Sequence, residues 1–299
     1  MAEPGNADQI AFWNGQVGEK WAGNHNQLDH AFAPLTASLL RHVGAQPGEA
    51  VIDVGCGCGD LTLALARSLG ADGRVLAVDV SSPMLAQAQA RAALQTPGTI
   101  APIEWVLEDA SVYALPKAEF DVITSRFGVM FFADPVAAFT NLRRALKPGG
   151  RVVMLCWRPM DQNPWFSVPR ASVLPLVPTP EPMAPGAPGP FGFADADRVL
   201  SILTEAGFSD ARAEKLDADL TLAQSPTGSD VDALAAATQF SVQTGPVGSL
   251  LREASEETIA AARVAIKAAL RPHLGDGRVV LGAGCWIYTA TSAGLTPSR

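Results

Sequence analysis

Apolar positions along this chain follow two alternating rhythms. Between residues 10 and 42, Trp13, Val17, Trp21, His25, Leu28 and Phe32 recur every three or four positions, which places them on one face of a helix that Pro34 is expected to break in two. The residues before it are expected to be disordered. Short apolar runs then alternate with helical stretches: Val51–Val54 and Val75–Val78 read as strands, with a helix over 61–69 between them. Ser82-Pro83 opens a further helix to about Ala93, with proline at a first-turn position where its missing N–H is harmless. Ile103–Leu107, Phe120–Ser125 and Arg151–Trp157 read as three more strands, and Asp134-Pro135 caps a helix over about 135–146 between the last two.

Strands alternating with helices at this spacing predict an α/β fold, a doubly wound and mostly parallel sheet with right-handed crossovers and helices on both faces. The ligand then belongs at the carboxyl ends of the strands, by the topological switch point. After Trp157 the rhythm stops, because ten prolines fall between Pro159 and Pro190 and leave room only for a short helix near 165–174 in a long loop over 158–192. It resumes with a helix at about 194–206 and strands near 211–222 and 279–289, which bring the sheet to seven strands. Residues 228–273 between those two strands look helical.

Composition narrows the function. A chain of 299 residues with 48% hydrophobic residues can bury a substantial core. Its net charge of −8 and pI near 5.0, with no cluster of Lys and Arg, argue against a nucleic-acid partner. The first residues, Met1 to Asp8, have neither the basic start nor the apolar core of a signal peptide, and no apolar run is long enough for a membrane span, so a cytoplasmic location is expected. Cys56, Cys58, Cys156 and Cys285 read as unpaired thiols, and no metal site is expected because Cys56-x-Cys58 lacks further ligands in spacing.

Candidate chemistry concentrates in Val51-Ile52-Asp53-Val54-Gly55-Cys56-Gly57-Cys58-Gly59-Asp60. Its glycines permit a tight turn into a helix and let backbone N–H groups approach a ligand closely. About twenty residues past the last glycine, the second strand ends in Asp79, placed to hydrogen-bond both hydroxyls of a ribose. The spacing is G-x-G-x-G and not the G-x-G-x-x-G of dinucleotide loops, Asp53 and Asp60 add negative charge, and no Lys or Arg lies between Val51 and Ala66. A pyrophosphate would be poorly served there. A ligand with an ammonium and a sulfonium fits, which points to S-adenosylmethionine over a nicotinamide cofactor and its dehydrogenase chemistry.

These residues resemble the class I S-adenosylmethionine-dependent methyltransferases through VIDVGCGCGD (51–60), VLAVDVSSPML (75–85), LEDAS (107–111), FDVITSRFGVMFFADP (120–135) and LKPGGRVVML (146–155), in that order. The likeness is to the bacterial small-molecule branch that includes ubiquinone and menaquinone biosynthesis enzymes, and it runs from about Gln46 to Trp157. It implies a Rossmann-like core whose cofactor residues are Gly55, Cys56, Gly57 and Gly59, approaching the methionine part, Asp53, orienting that loop, Asp79, holding the ribose, and Asp109 with the Ala110 N–H, reading the adenine edge between Val80 and Met84. Ser125 and Arg126 would lie near the methionine amino end, and Trp21 would shield the sulfonium. Cys58 stands where the family commonly has Thr or Ser, a departure expected to weaken one hydrogen bond and leave the fold untouched.

The resemblance also implies an organisation: an N-terminal helical lid over 1–42, the cofactor core over 43–227, a helical cap over 228–277, and the last strand with a tail over 278–299. The expected function is methyl transfer by in-line displacement to a small, at least partly apolar acceptor, with S-adenosylhomocysteine as product. A protein that binds the cofactor without methylating is the alternative. His25, Arg126, Phe127, Trp157, Trp165 and Phe166 are the candidate acceptor contacts, with His25 also the one candidate base. An Arg in an apolar segment needs an anion, so Arg126 faces either a protein carboxylate or a substrate one. The sequence leaves a homodimer open.

Overall fold

A computed structural model of the chain describes residues 6–181 and 183–292. The tail beyond Ser292 and the first five residues lie outside them, and with these most of the expected disordered start. Its sheet runs β1 (Ala50–Val54), β2 (Arg74–Asp79), β3 (Ile103–Leu107), β4 (Phe120–Arg126), β5 (Leu146–Trp157), β6 (Phe208–Gln224), β7 (Leu274–Gly275) and β8 (Arg278–Ser292) along the chain. In space the order is β3-β2-β1-β4-β5-β8-β6. The first five strands are parallel, while β8 runs antiparallel to both β5 and β6. The seven expected strands form this path, and the two-residue β7 is an addition that pairs only with β8.

Residue periodicity explains the layers. All five residues of β1 are buried, as a strand covered on both faces requires. The crossover from β1 to β2 runs one way along the sheet and that from β4 to β5 the other, so right-handed connections put their helices on opposite faces and open a crevice between the carboxyl ends of β1 and β4.

The N-terminal region is three helices, α1 (Ala7–Asn14), α2 (Gln16–Gly23) and α3 (His25–Val43). The breaks fall at Gly15, which is extended, and at Asn24, and Pro34 sits inside α3 against expectation. Pro34 and His30, whose carbonyl loses its helical partner to the proline ring, both face water, so the lost hydrogen bond is replaced by solvent. Leu28, Phe32, Leu35, Leu39 and Val43 of α3 belong to the main core, so a boundary at residue 42 cuts through a packed layer; only α1 and α2 lie outside it.

Behind the sheet strands come α4 (Asp60–Leu69), α5 (Ser82–Ala92), α6 (Pro135–Ala145), α7 (Pro164–Val173) and α8 (Ala196–Glu205). Asp134 caps α6 by accepting from the Ala137 N–H at 3.0 Å, as its Asp-Pro start predicts. Between β6 and β8 the chain inserts α9 (Asp230–Gln243), α10 (Gly245–Leu250) and α11 (Glu256–Leu270). Register explains their position. Trp157, the last residue of β5, pairs with Cys285, so β8 residues 278–284 run on past β5, paired with β6 and at their start with β7, and form an arm that overruns the carboxyl edge of β5. The arm carries the inserted helices to the end of the sheet where the crevice opens, with α9 packed on β6 and β8 and α10 and α11 against α7.

The crevice depends on two exit turns that touch backbone to backbone. A Cβ on Gly128 would lie 2.6 Å from the Val54 carbonyl oxygen and 2.7 Å from Gly55 Cα, neither of which can move without disturbing the sheet. Gly128 has an ordinary negative φ of −75°, so the cost of a side chain there is purely steric. Gly128→Ala is expected to destabilise the protein by about 1–3 kcal/mol in urea unfolding. An unchanged midpoint would show that the two turns are not in contact.

Candidate functional site

The glycine loop is held by its neighbour strand. Gly55 N–H donates to the Val78 carbonyl at 2.8 Å, and Gly57 N–H donates to Asp79 Oδ2 at 2.7 Å. The other oxygen of Asp79 accepts from the Ser81 N–H at 2.8 Å, so one buried carboxylate ties the loop to the turn after β2. Burial pushes the Asp79 carboxyl up from its ordinary value, and these backbone donors act against that rise. Gly55, Gly57 and Gly59 have φ of +67°, +54° and +80°, which explains the residue type at each.

Two expected contacts are placed elsewhere. Gly59 does not line the cavity: a Cβ there would meet Ala88 Cβ at 3.0 Å, so this glycine lets α5 pack closely against the start of α4. Ser125 is fully buried, donates to the Val54 carbonyl at 2.7 Å and accepts from the Gly128 N–H at 3.1 Å. It braces the crevice from behind.

Arg126 finds its anion within the protein. Its guanidinium donates to Asp60 Oδ2 at 2.6 Å and to Thr36, with Asp29 of α3 at 4.0 Å, so the substrate carboxylate held open by the sequence is not needed. Asp29 also faces Arg91 at 2.7 Å, yet burial and the nearby Asp60 hold its carboxyl above the usual range. Asp53 is different. Its Oδ2 accepts from Thr62 at 2.6 Å, while Oδ1 is buried with no partner among the described residues. Burial pushes its carboxyl up to about 7.

These groups share one cavity of about 940 Å³, near the top of the roughly 300–1,000 Å³ typical of ligand pockets. At one end stand Asp53, Gly55, Cys56, Gly57, Asp79, Val80, Met84, Asp109 and Ala110. The other end is aromatic, walled by Phe32, Phe127, Trp157, Trp165, Phe166 and Phe240. Phe127 and Trp157 stack with centroids 4.1 Å apart, and Phe166 meets Trp157 edge-on at 4.9 Å. Phe127 holds this place at φ +69°, a conformation that an aromatic residue rarely adopts. Trp13, Trp21 and His25 also line the cavity. His25 Nδ1 lies 2.7 Å from the Ala22 carbonyl, a contact that keeps the proton on Nδ1 and the lone pair on Nε2, and Nε2 lies 3.4 Å from the Gln87 amide nitrogen.

Sequence reasoning missed the clasps that hold α1 over the cavity. Asn14 donates to the Val80 carbonyl at 2.7 Å and accepts from the Ser82 N–H at 3.0 Å. Asn6 donates to Asp109 Oδ1 at 3.2 Å and accepts from the Ala133 N–H at 2.7 Å. Single asparagines in polar stretches carry no signal of such partners. Cys56, Cys58, Cys156 and Cys285 are free, with their thiols pushed up by burial, and no cluster able to hold a metal occurs among the described residues. Among those residues no helix is long and apolar enough to cross a membrane.

Comparison with known proteins gives the setting. Residues 51–150 match the family described as methyltransferase domain. The chain is 32% identical over 178 residues to the 2-phytyl-1,4-beta-naphthoquinone methyltransferase of Arabidopsis thaliana, covering 56% of this chain and 67% of that one. It is 33% identical to the ubiquinone/menaquinone biosynthesis C-methyltransferase of Cupriavidus taiwanensis over 46% of this chain and 56% of that one. Apart from the plant protein, the chain spans about half the length of the curated relatives it matches. Phosphoethanolamine N-methyltransferase 2 of Haemonchus contortus, solved with S-adenosyl-L-methionine, superposes with a TM-score of 0.57 at 17% identity, covering 98% of this chain and 61% of that one.

The orphaned Asp53 has a consequence for stability. Its carboxyl keeps a proton to about pH 7 when folded but only to its ordinary 3.8 when unfolded, so between those values the native state binds more protons. The contribution of Asp53 to stability therefore falls as pH rises from about 4 to about 7, while Glu49 and Asp121, lowered by their cationic and backbone donors, act in the opposite sense at the acid end. Asp53→Asn is expected to flatten that part of the curve, measured as urea midpoints across the range, while Asp29 and Asp79, raised in the same direction, remain in both proteins. Parallel curves would mean that Asp53 is ionised in the native state.

Proposed function

We propose a specific reaction for this chain, which belongs to the class I S-adenosylmethionine-dependent methyltransferases: it methylates a small, flat and at least partly apolar acceptor by in-line displacement. The observation that carries this reading is the single cavity, with a carboxylate-and-glycine cradle at one end and an aromatic box at the other. S-adenosylmethionine supplies an electrophilic methyl group and leaves as S-adenosylhomocysteine.

The residues present fit that cofactor. Asp79 is positioned for the ribose hydroxyls, since an oxygen that accepts one N–H at 2.7 Å retains a second lone pair. Asp109, whose Oδ1 already accepts from an amide N–H of Asn6, suits the adenine amino group, with Ala110 at the ring edge and Val80 and Met84 against its faces. The unpartnered Asp53 Oδ1 suits an ammonium group beside Gly55, Cys56 and Gly57. Trp21, edge-on to Trp13 at 5.7 Å, would exclude water from the sulfonium.

In the aromatic box, Phe127, Trp157, Trp165 and Phe166 would align a planar acceptor with the methyl group; alignment in a water-poor pocket supplies much of the acceleration of such a displacement. The quinone-type acceptors in the relatives' names support a flat ring. In-line displacement needs a base only where the acceptor must lose a proton, and His25, on the cavity wall with Nδ1 held by the Ala22 carbonyl, is the candidate for it. The reading assigns α1 and α2 as a lid and α9 to α11 as a cap, supported by the residues both contribute to the cavity wall. A cytoplasmic setting, supported by the free thiols, three of them buried, completes the reading.

Calorimetry should show binding of S-adenosylmethionine and not of NAD, and labelled methyl should reach a member of a panel of naphthols and quinols. Cofactor binding without product across the panel would favour the non-methylating alternative. Asp79→Ala is expected to weaken cofactor binding by about 2 kcal/mol through loss of charge-assisted hydrogen bonds. It should also destabilise the unliganded protein by about 1–3 kcal/mol, because the Gly57 and Ser81 N–H groups lose their acceptor. Unaltered affinity in a folded variant would remove the ribose assignment. Phe166→Leu should raise acceptor KM while cofactor affinity stays within about threefold, roughly 0.6 kcal/mol; the opposite split would put Phe166 on the cofactor side.

A further inference from the structure

We infer that the acceptor carries an anionic group, a carboxylate or its like, and that Arg170 receives it; the inference rests on the methyl-transfer reading above. Phe166, Arg170 and Leu174 recur every four residues along α7 and the turn that follows it, and all three line the cavity. Arg170 therefore emerges from the wall that Phe166 begins, one turn farther from the stacked pair of Phe127 and Trp157. It is half-buried, and among the described residues no carboxylate lies within 4.0 Å of it and its side chain makes no hydrogen bond.

The other cations of the cavity have different circumstances. Arg126 is satisfied by Asp60 at 2.6 Å. Lys20 and Arg252 are exposed, and the guanidinium of Arg252 lies over the Phe12 ring, 5.5 Å from its centroid. Arg170 alone of these is drawn into the wall with its charge unmatched.

In the open cavity water can solvate that guanidinium. Once cofactor and a flat acceptor fill the space, the water is displaced, and a charge left without a partner costs more than a hydrogen bond returns. A carboxylate on the acceptor answers this, because the planar fork of arginine matches two carboxylate oxygens with two parallel N–H bonds. The acceptor then spans the box, with its ring against Phe127 and Trp157 and its anion toward α7. Arg170 thus selects among flat molecules that the aromatic walls alone would treat alike.

The test uses the full chain saturated with S-adenosylhomocysteine and two flat probes, 1-hydroxy-2-naphthoate and 1-naphthol, with affinities from quenching of tryptophan fluorescence. The naphthoate is expected to bind the wild type at least about tenfold more tightly, as a charge-assisted bidentate pair allows. In Arg170→Gln the preference should shrink to within about threefold, and Arg170→Lys, which keeps the charge and loses the fork, should fall between. Affinity for S-adenosylhomocysteine should stay within about threefold in both variants. Equal binding of the two probes by the wild type, binding of neither, or a preference that survives Arg170→Gln would overturn the inference. So would a tenfold loss of S-adenosylhomocysteine affinity in Arg170→Gln, which would give Arg170 to the cofactor's own carboxylate. A wild type that fails to bind S-adenosylhomocysteine at all would instead bring down the methyl-transfer reading beneath it. Because the wild-type preference alone decides against or for an anion, the test survives a variant that does not fold.

Discussion

The site depends on the approach of two chain segments that no side chain could permit. Where β1 and β4 end side by side, their exits must diverge to opposite faces of the sheet, yet Gly55 and Gly128 touch at the point of divergence. The Ser125 hydroxyl fastens the contact by donating to the Val54 carbonyl and accepting from the Gly128 N–H. With the two turns locked, the glycine loop is fixed relative to the end of β4, and Phe127, the residue just before Gly128, is driven into its left-handed conformation beside Trp157. One steric constraint thus orients both ends of the cavity.

Charge is arranged around that constraint with little slack. Asp29, Asp60, Arg91 and Arg126 neutralise one another across α3, α4, α5 and the end of β4, which lets four ionisable groups sit close to an apolar box without free charge. Asp79 accepts one backbone N–H on each oxygen. Asp53 is the exception, buried with one oxygen unanswered and its carboxyl raised to about 7. A cationic ligand group beside it would return the proton to solvent and supply the missing partner, so binding and ionisation are coupled at this residue.

The core strands were legible because a strand covered on both faces is a short apolar run, as in β1 and β2; β4 differs from its predicted bounds by one residue, and even the half-exposed edge strand β3 has the predicted bounds. The glycine loop and Asp79 were legible for the same reason, since their residue types are dictated by local backbone geometry and position. What failed to show depends on partners far along the chain. Pro34 looks like a break until one sees that it faces water; Gly59 and Ser125 look like ligand contacts until α5 and Val54 are in place. Arg126 could not be assigned an anion because Asp60 and Asp29 are 66 and 97 residues away in sequence, and Asn6 gives no sign that it will reach Asp109 across 103.

The division of the cavity follows from which elements share the parallel ladder. The cradle hangs from β1, β2 and β4, whose positions are fixed by backbone hydrogen bonds and the two touching turns. Half of the aromatic box, Trp165, Phe166 and Phe240, comes from α7 and α9, which pack on the arm of β6 and β8 and not on β1. Side chains there can change size or charge without disturbing the strands that hold the loop. Phe127 is the exception, because its backbone belongs to the locked turn and its ring to the box. A substitution at that residue acts on both halves at once, whereas Arg170, on α7 and outside the ladder, can tune the acceptor alone.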